Sequence, residues 1–231
     1  WLAGAVAAVL LACLLKPMLA WTMLRGEVQA VEGALGQSLQ AGRERLSWLV
    51  SRDTAALSEA QVRESAIESL AENLNDSVVA PIFWFVLLGL PGAVFYRFAN
   101  TADAMWGYKG VYKGQNWEWA GKWAARVDDV LNWLPARLTG LLLALTCGVA
   151  WRDLRREASK TPSPNSGWPM AAMALALNIH LGKPGVYVLN PVGSAPWPAQ
   201  TQLAVANASK ALLALIPIAL LALVTRASVG L

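Results

Sequence analysis

Residues 78–98 read VVAPIFWFVLLGLPGAVFYRF, with a single charged side chain, Arg97, close to the far end. A run of that length just spans a hydrocarbon layer about 30 Å thick. It is also punctuated by Pro81, Gly89, Pro91 and Gly92. Lipid offers no partner to backbone groups freed by a break, so a broken helix at membrane depth must be enclosed by protein or line a cavity. The stretch therefore reads either as a simple span or as a kinked or re-entrant segment. Composition supports a membrane protein: 15% of residues are charged and 56% hydrophobic, with a mean hydropathy of +0.40, where soluble domains carry about 25% charged residues. Twelve tryptophans suit the boundary between acyl chains and wet headgroups. The net charge of +4 is scattered, which points to membrane lipid and not to nucleic acid as a partner.

Other apolar stretches flank this one. Residues 1–24 form a first membrane segment interrupted at Lys16-Pro17, where proline ends or kinks a helix. Residues 130–150 form another, with Arg137 buried in its first half, and residues 209–225 a last one closed by Arg226. Residues 168–181 are too short for a simple span and suit a buried, interfacial or re-entrant helix. Residues 25–77 predict a long amphipathic helical region, with Leu35, Leu39, Leu46 and Leu49 on its apolar face. A helix restarts there at Ser51-Arg52-Asp53-Thr54, with Asp53 or Thr54 as its cap. Residues 182–208, rich in proline and glycine, read as loop. Cys13 and Cys147 lie in apolar runs and read as buried free thiols.

The expected fold class is all-α: a polytopic integral membrane protein with kinked or re-entrant segments and a long amphipathic helical region. Residues 1–231 read as one domain, and the opening at Trp1 inside an apolar run suggests that an N-terminal part precedes it. Arg25 and the basic cluster from Arg152 to Lys160 mark cytoplasmic flanks by their positive charge. Strict alternation then places residues 99–129 outside, against Arg97, Lys109, Lys113, Lys122 and Arg126. The conflict eases if residues 78–98 dip in and return.

Several polar clusters stand beside these apolar stretches. Glu64, Glu68 and Glu72 recur at every fourth position, on one helical stripe, with Asn73, Asn75 and Asp76 following. Like charges at that spacing repel, so they call for a cation; carboxylates suit Mg²⁺, which keeps several waters and bridges substrate phosphates. The bland alternative is a solvated face paired with Arg52 and Arg63. A second cluster is Asn100, Thr101 and Asp103, near Gly107 and Tyr108, where Asn100 or Thr101 equally suits a helix cap. A third is Arg126, Asp128, Asp129, Asn132 and Arg137. An arginine within a membrane needs a partner. The turn Ser163-Pro164-Asn165-Ser166-Gly167, ahead of an apolar helix, reads as an anion cradle or as a plain turn. His180, the single histidine, reads as structural. Walker A, GxGxxG, HExxH and CxxC patterns are absent. Carboxylates, amides and arginines at a membrane surface suit Mg²⁺–phosphate chemistry, and equally a transporter site.

The stretches LVSRDT (49–54), ESAIESLAENLNDSVVAPIF (64–83), LPGAVFYRFANTADAMWGYK (90–109), AARVDDVLNWLPARLTG (124–140) and SPNSGWPMAAMA (163–174) resemble, in that order, the CobD/CbiB family of cobalamin-biosynthesis proteins, the adenosylcobinamide-phosphate synthases. The segment after Pro184 matches only partly, through GVYVLNPVG. The resemblance implies a multi-pass enzyme of the cell inner membrane with its active site facing the cytoplasm. Such an enzyme is an ATP-dependent ligase that uses Mg²⁺ to join adenosylcobyric acid, an adenosylcorrinoid, to aminopropanol phosphate or aminopropanol. In that scheme Glu68, Glu72, Asp76 and Asp103 face Mg²⁺ and phosphates, with Asp128 or Asp129 beside them. Arg126 and Arg137 neutralise phosphoryl charge. Asn73, Asn100, Thr101 and the Ser163, Asn165 and Ser166 turn orient the nucleotide or the amino-alcohol phosphate. Other corrin-pathway enzymes or a second copy of the chain are the expected partners. The alternatives are a non-catalytic, sensor-like relative and a small-molecule or corrinoid transporter.

Overall fold

The computed structural model describes residues 2–107, 110–112 and 114–229; Trp1, Tyr108, Lys109 and Lys113 lie outside the described residues. The elements are α1 (Leu2–Leu15), α2 (Trp21–Leu35), α3 (Leu39–Leu46), α4 (Glu59–Leu74), α5 (Ala80–Trp106), β1 (Val111–Tyr112), β2 (Gln115–Asn116), α6 (Glu118–Cys147), α7 (Trp151–Ala158), α8 (Gly167–Leu177), β3 (Leu181–Lys183), β4 (Tyr187–Leu189) and α9 (Pro198–Val229). A 3-10 turn at Lys16–Met18 separates α1 from α2, and a π-helical turn at Asn75–Val79 joins α4 to α5. The strands form two small antiparallel hairpins. The protein is thus an all-α, polytopic membrane protein. Among the described residues four stretches are long and apolar enough to cross a membrane: Val6–Leu35, Glu59–Trp106, Glu118–Cys147 and Pro198–Ser228.

The second of these stretches bends back on itself. Gly89 has φ +68° and ψ −159°, a conformation open essentially to glycine alone. The Tyr96 hydroxyl donates to the Asp76 carbonyl at 3.1 Å across 20 residues, a separation that a straight helix would stretch to about 30 Å. A Cβ at Gly92 would sit 2.6 Å from the Trp84 carbonyl oxygen, so glycine lets the two limbs touch. The Val86 carbonyl, near the bend, accepts from Arg226 Nη1 at 3.1 Å, which ties the tip to α9. Residues 78–98 are therefore re-entrant, and the chain flanking them returns to one level. Gly89→Ala is expected to cost about 1–3 kcal/mol, read as a lowered Tm in detergent; an unchanged Tm would mean that the bend survives without glycine.

Helix α4 lies at the centre. Its Val62, Ile67, Leu70 and Leu74 are buried together with Leu24, Val28 and Val31 of α2, Met170 and Met173 of α8, and Ala204 and Ala208 of α9. Helix α8 is buried on nearly every side, as a uniformly apolar helix must be. Arg63 reaches both Glu32 oxygens at 2.9–3.0 Å and Glu59 at 2.6 Å. Thr201 donates to Glu32 at 2.8 Å, so one ionic knot joins α2, α4 and α9.

Several sequence expectations are corrected. The N-cap of α4 is Ser58, in a capping box with Gln61; Asp53 instead accepts from the Ala55 N–H at 2.9 Å. Asn100 and Thr101 lie inside α5 and cap nothing. Residues 182–208 are not all loop: a hairpin occupies their start, and α9 begins at Pro198. Cys13 and Cys147 are free, but Cys13 is exposed and Cys147 only half-buried, because both sit on helix faces turned away from the core. Arg137 is half-buried, not sealed within the apolar segment.

The buried Glu157 anchors α7. It accepts from Lys160 Nζ at 2.6 Å and from the Asn190 N–H at 2.7 Å. Burial pushes its carboxyl up, but Lys160, the Asn190 N–H and Arg156 together hold it below its ordinary 4.5. A depressed carboxyl contributes stability that is full above the unfolded value and lost as pH falls through the folded one. The Tm advantage of wild type over Glu157→Gln is therefore expected to be complete at neutral pH and to shrink once pH drops below about 4.5. A pH-independent difference would overturn the assignment.

Candidate active site

The acidic stripe on α4 meets a different environment at each turn. Glu64 contacts His180 Nε2 at 3.2 Å; His180 Nδ1 lies 3.1 Å from the Gly193 carbonyl, so the histidine is a structural clasp. Glu68 has both oxygens engaged, one by Arg52 at 2.9 Å and one by the Tyr187 hydroxyl at 2.9 Å. Burial, and then the charge on Glu68, push the Tyr187 phenol up, which keeps it a protonated donor. Glu64 and Glu68 are buried at 7% and 2% exposure, so the solvated-face reading fails for them, and Arg63 serves Glu32 and Glu59 instead. Glu72 is exposed and, with Asp76, opens onto a cavity.

That cavity, of about 320 Å³, is lined by five carboxylates: Glu72, Asp76, Asp103, Asp128 and Asp129. Among the described residues no basic side chain lines it. Its floor is a chain of amides. Asn132 Oδ1 accepts from Asn75 Nδ2 at 2.8 Å and from the Tyr96 hydroxyl at 2.9 Å. These two donors turn Asn132 Nδ2 onto Asp128 Oδ2 at 3.0 Å, and Asn100 Nδ2 serves Asp128 Oδ1 at 3.1 Å. Thr139 donates to Asn75 Oδ1 at 3.0 Å. Arg97 reaches Asn100 Oδ1 at 3.1 Å and the Asp76 carbonyl at 3.3 Å. The π-helical turn puts Asn75 and Asp76 at the heart of this network, and such turns recur at functional sites. Gly107 is needed beside Asp103: a Cβ there would sit 2.6 Å from the Asp103 carbonyl oxygen and collide with its carboxylate.

A second cavity, of about 370 Å³, shares Glu72, Pro162, Ser163 and Ser166 with the first and adds Arg52, Lys183, Glu68, Ser69 and Tyr187. The two join at Glu72 and the serine turn, and the second carries the positive charge that the first lacks. In that turn Ser163 Oγ accepts from the Asn165 and Ser166 N–H groups at 3.2 Å each. Asn165 donates to the Asp129 carbonyl at 2.8 Å, which locks the turn to α6. Arg137 reaches Asn165 Oδ1 at 3.3 Å and lies over Trp133 and Trp168; no carboxylate pairs with it among the described residues.

Most of the sequence candidates therefore converge. Glu72, Asp76, Asp103, Asp128, Asp129, Ser163, Asn165 and Ser166 share one cavity. Asn100 stands behind it, holding Asp128. Asn73 lines the second cavity, but its amide is turned onto Ser69 of its own helix at 3.0 Å. Thr101 and Arg126 are exposed and line neither cavity, since a helix turns about 100° per residue and carries them off the faces of Asn100–Asp103 and Asp128–Asn132. Both Glu68 oxygens have partners within the protein, Arg52 and Tyr187. Asn132, singled out in the sequence with Asp128 on one helical face, stands at the network's centre, and Arg52, noted there as a partner of the acidic stripe, lines the second cavity. Tyr96, Lys183 and Tyr187 are not site candidates in the sequence.

Among the described residues no three acidic, histidine or cysteine side chains are already drawn together at metal-binding distance. A Mg²⁺ shared with substrate phosphates needs only one or two protein carboxylates, and the uncompensated acids of the first cavity fit that demand.

The family model described as CobD/Cbib protein matches residues 1–215. The chain belongs to the CobD/CbiB family. It is 50% identical over 183 residues to the "Probable cobalamin biosynthesis protein CobD" of Methanothermobacter thermautotrophicus, covering 76% of this chain and 60% of that one. It is 51% identical over 162 residues to "Cobalamin biosynthesis protein CobD" of Chromobacterium violaceum, covering 69% and 51%. It is 43% identical over 195 residues to the protein so named from Brucella melitensis biotype 1, covering 80% and 58%. The chain thus spans between half and three-fifths of the length of these CobD relatives. No solved structure matches it.

Proposed function

We propose that this CobD/CbiB chain carries out the amide-forming step of cobalamin biosynthesis, joining the free carboxylate of adenosylcobyric acid to aminopropanol phosphate or aminopropanol at the expense of ATP. The observation that carries this reading is the pair of joined cavities, one with carboxylates as its only charged lining among the described residues and the other adding Arg52 and Lys183, meeting at Glu72 and Ser163. A carboxylate is a poor electrophile, and its oxygen leaves badly. Transfer of the terminal phosphoryl group of ATP to that oxygen gives an acyl phosphate. The amine nitrogen then attacks the carbonyl carbon, phosphate leaves with the C–O electron pair, and the amine proton passes to a carboxylate.

In this scheme Arg52, Lys183 and the Ser163 and Ser166 hydroxyls hold phosphate oxygens, where cationic and N–H or O–H donors stabilise developing charge. One or two of Glu72, Asp76 and Asp103 would hold Mg²⁺, which would supply neutralisation of the phosphates. Asp129, which keeps a carboxylate oxygen open beside the serine turn, takes the amine proton. Asp128 is saturated by two amides and positions the floor. The surrounding apolar helices keep water from the acyl phosphate. The site faces the cytoplasm of a cell inner membrane, where ATP is available.

The test uses purified protein in detergent with adenosylcobyric acid, ATP, Mg²⁺ and each amine in turn, with corrinoid mass as the readout. A product heavier by the condensed amine supports the ligase. Folded protein that neither makes product nor binds the corrinoid overturns it, in favour of a sensor or transporter.

A further inference from the structure

A third cavity, of about 590 Å³, lies on the other side of the serine turn, between α6 and α7, and shares Pro162 and Ser163 with both cavities described above. Four arginines line it: Arg137, Arg152, Arg155 and Arg156. Arg156 is neutralised by Asp153 at 3.0 Å and Glu157 at 3.5 Å. No ion pair reaches Arg137, Arg152 or Arg155 among the described residues. Three guanidinium groups without acidic partners around one concavity give it a positive potential that favours an anion. Arginine's planar fork matches the oxygens of a phosphate. The rim is aromatic: Trp151 packs on Trp168 with ring centres 5.3 Å apart, and Arg137 lies 4.2 Å and 5.0 Å from the ring centres of Trp133 and Trp168. Trp133 and Trp168 hold Arg137 in place, and with Trp151 they give the bowl an amphipathic edge suited to a headgroup boundary.

We infer that this arginine bowl is a phosphate-binding site separate from the two joined cavities, taking a phosphate ester whose organic part lies against the tryptophan rim. A soluble phosphate ester and the headgroup of an anionic phospholipid share that chemistry. The inference needs no turnover and stands or falls apart from the ligase reading.

Inorganic phosphate is titrated by calorimetry into the whole chain held in nanodiscs of zwitterionic phosphatidylcholine. Saturable binding is expected, weakened at least about tenfold, 1.4 kcal/mol, in the double variant R152Q/R155Q and partly recovered in R152K/R155K. Both residues are exposed and unpaired, so Tm should stay near wild type and separate lost binding from lost folding. Repeating the titration in nanodiscs containing phosphatidylglycerol distinguishes the sources. Competition by that lipid assigns the site to a headgroup, and undiminished phosphate binding assigns it to a soluble ester. Absence of phosphate binding in phosphatidylcholine together with no retention of phosphatidylglycerol overturns the inference, as does binding that R152Q/R155Q leaves unchanged.

Discussion

Asn132→Ala is expected to lower stability by about 3 kcal/mol or more, since each buried polar group left without a partner costs about 1–3 kcal/mol. Asn132 is 2% exposed and serves Asn75, Tyr96 and Asp128 at once. Its removal takes one of two acceptors from Asn75 Nδ2, which keeps Asp76 Oδ1 at 2.7 Å, an acceptor from the Tyr96 hydroxyl on the returning limb of α5, and a donor from one oxygen of Asp128 on α6. Tyr96 keeps the Asp76 carbonyl as an alternative acceptor at 3.1 Å, which tempers the loss there. Equilibrium unfolding in mixed micelles reads the effect. Asn132→Asp separates acceptor from donor: it still accepts from Asn75 and Tyr96 but sets a second carboxylate against Asp128, so it should also destabilise. A loss below about 0.5 kcal/mol for Asn132→Ala, the range of ordinary surface changes, would mean that water takes over these bonds and that the network does not hold the three helices together.

Glu72→Gln and Asp103→Asn are each expected to lower kcat of the proposed ligase by about 10²-fold or more, the scale on which removing a charge-stabilising group from a site acts. Neither side chain donates to or accepts from another side chain among the described residues. Both line the acidic cavity, so their charge is not needed for packing. Each variant should also raise the Mg²⁺ concentration that gives half-maximal rate. The double variant should fall little further than either single one, because groups acting as a unit are not additive. Glu68→Gln should behave differently. Its oxygens are held by Arg52 and Tyr187, so the change loosens the hairpin of β3 and β4 over the second cavity and raises KM more than it alters the Mg²⁺ response. Wild-type rates and an unchanged Mg²⁺ response in Glu72→Gln and Asp103→Asn would remove the acidic cavity from the reaction.

Particular residues mark how far the sequence could be read. The fourfold spacing of Glu64, Glu68, Glu72 and Asp76 puts them on one face, and α4 with its π-helical turn carries them so. Their fates diverge because the groups that engage them come from elsewhere: His180 for Glu64, and for Glu68 both Arg52 and a tyrosine 119 residues further along the chain. The start of α4 was readable and misread. Ser58 followed by Gln61 is a capping-box pattern, and it prevailed over Asp53 and Thr54 because it closes two backbone groups at once. Arg137 looked like a buried charge in need of an acid; packing on Trp133 and Trp168 leaves it half-exposed instead.

Membrane character can be read from the chain alone, through apolar runs too long and too poor in charge for a soluble domain. For the second run the same reading leaves a simple span and a break both open, since Gly89 and Pro91 stand at its middle. Both follow from local rules: transfer to lipid sums along a segment, and backbone freedom belongs to single residues. Packing between distant segments is what folds the limbs back together, brings Asp76, Asp103 and Asp128 to one cavity, and joins Asn132 to Asn75 across 57 residues. A helical period fixes which side chains share a face. It does not fix what stands opposite, and it is the opposite group that decides whether a carboxylate is neutralised in the core or left open to bind.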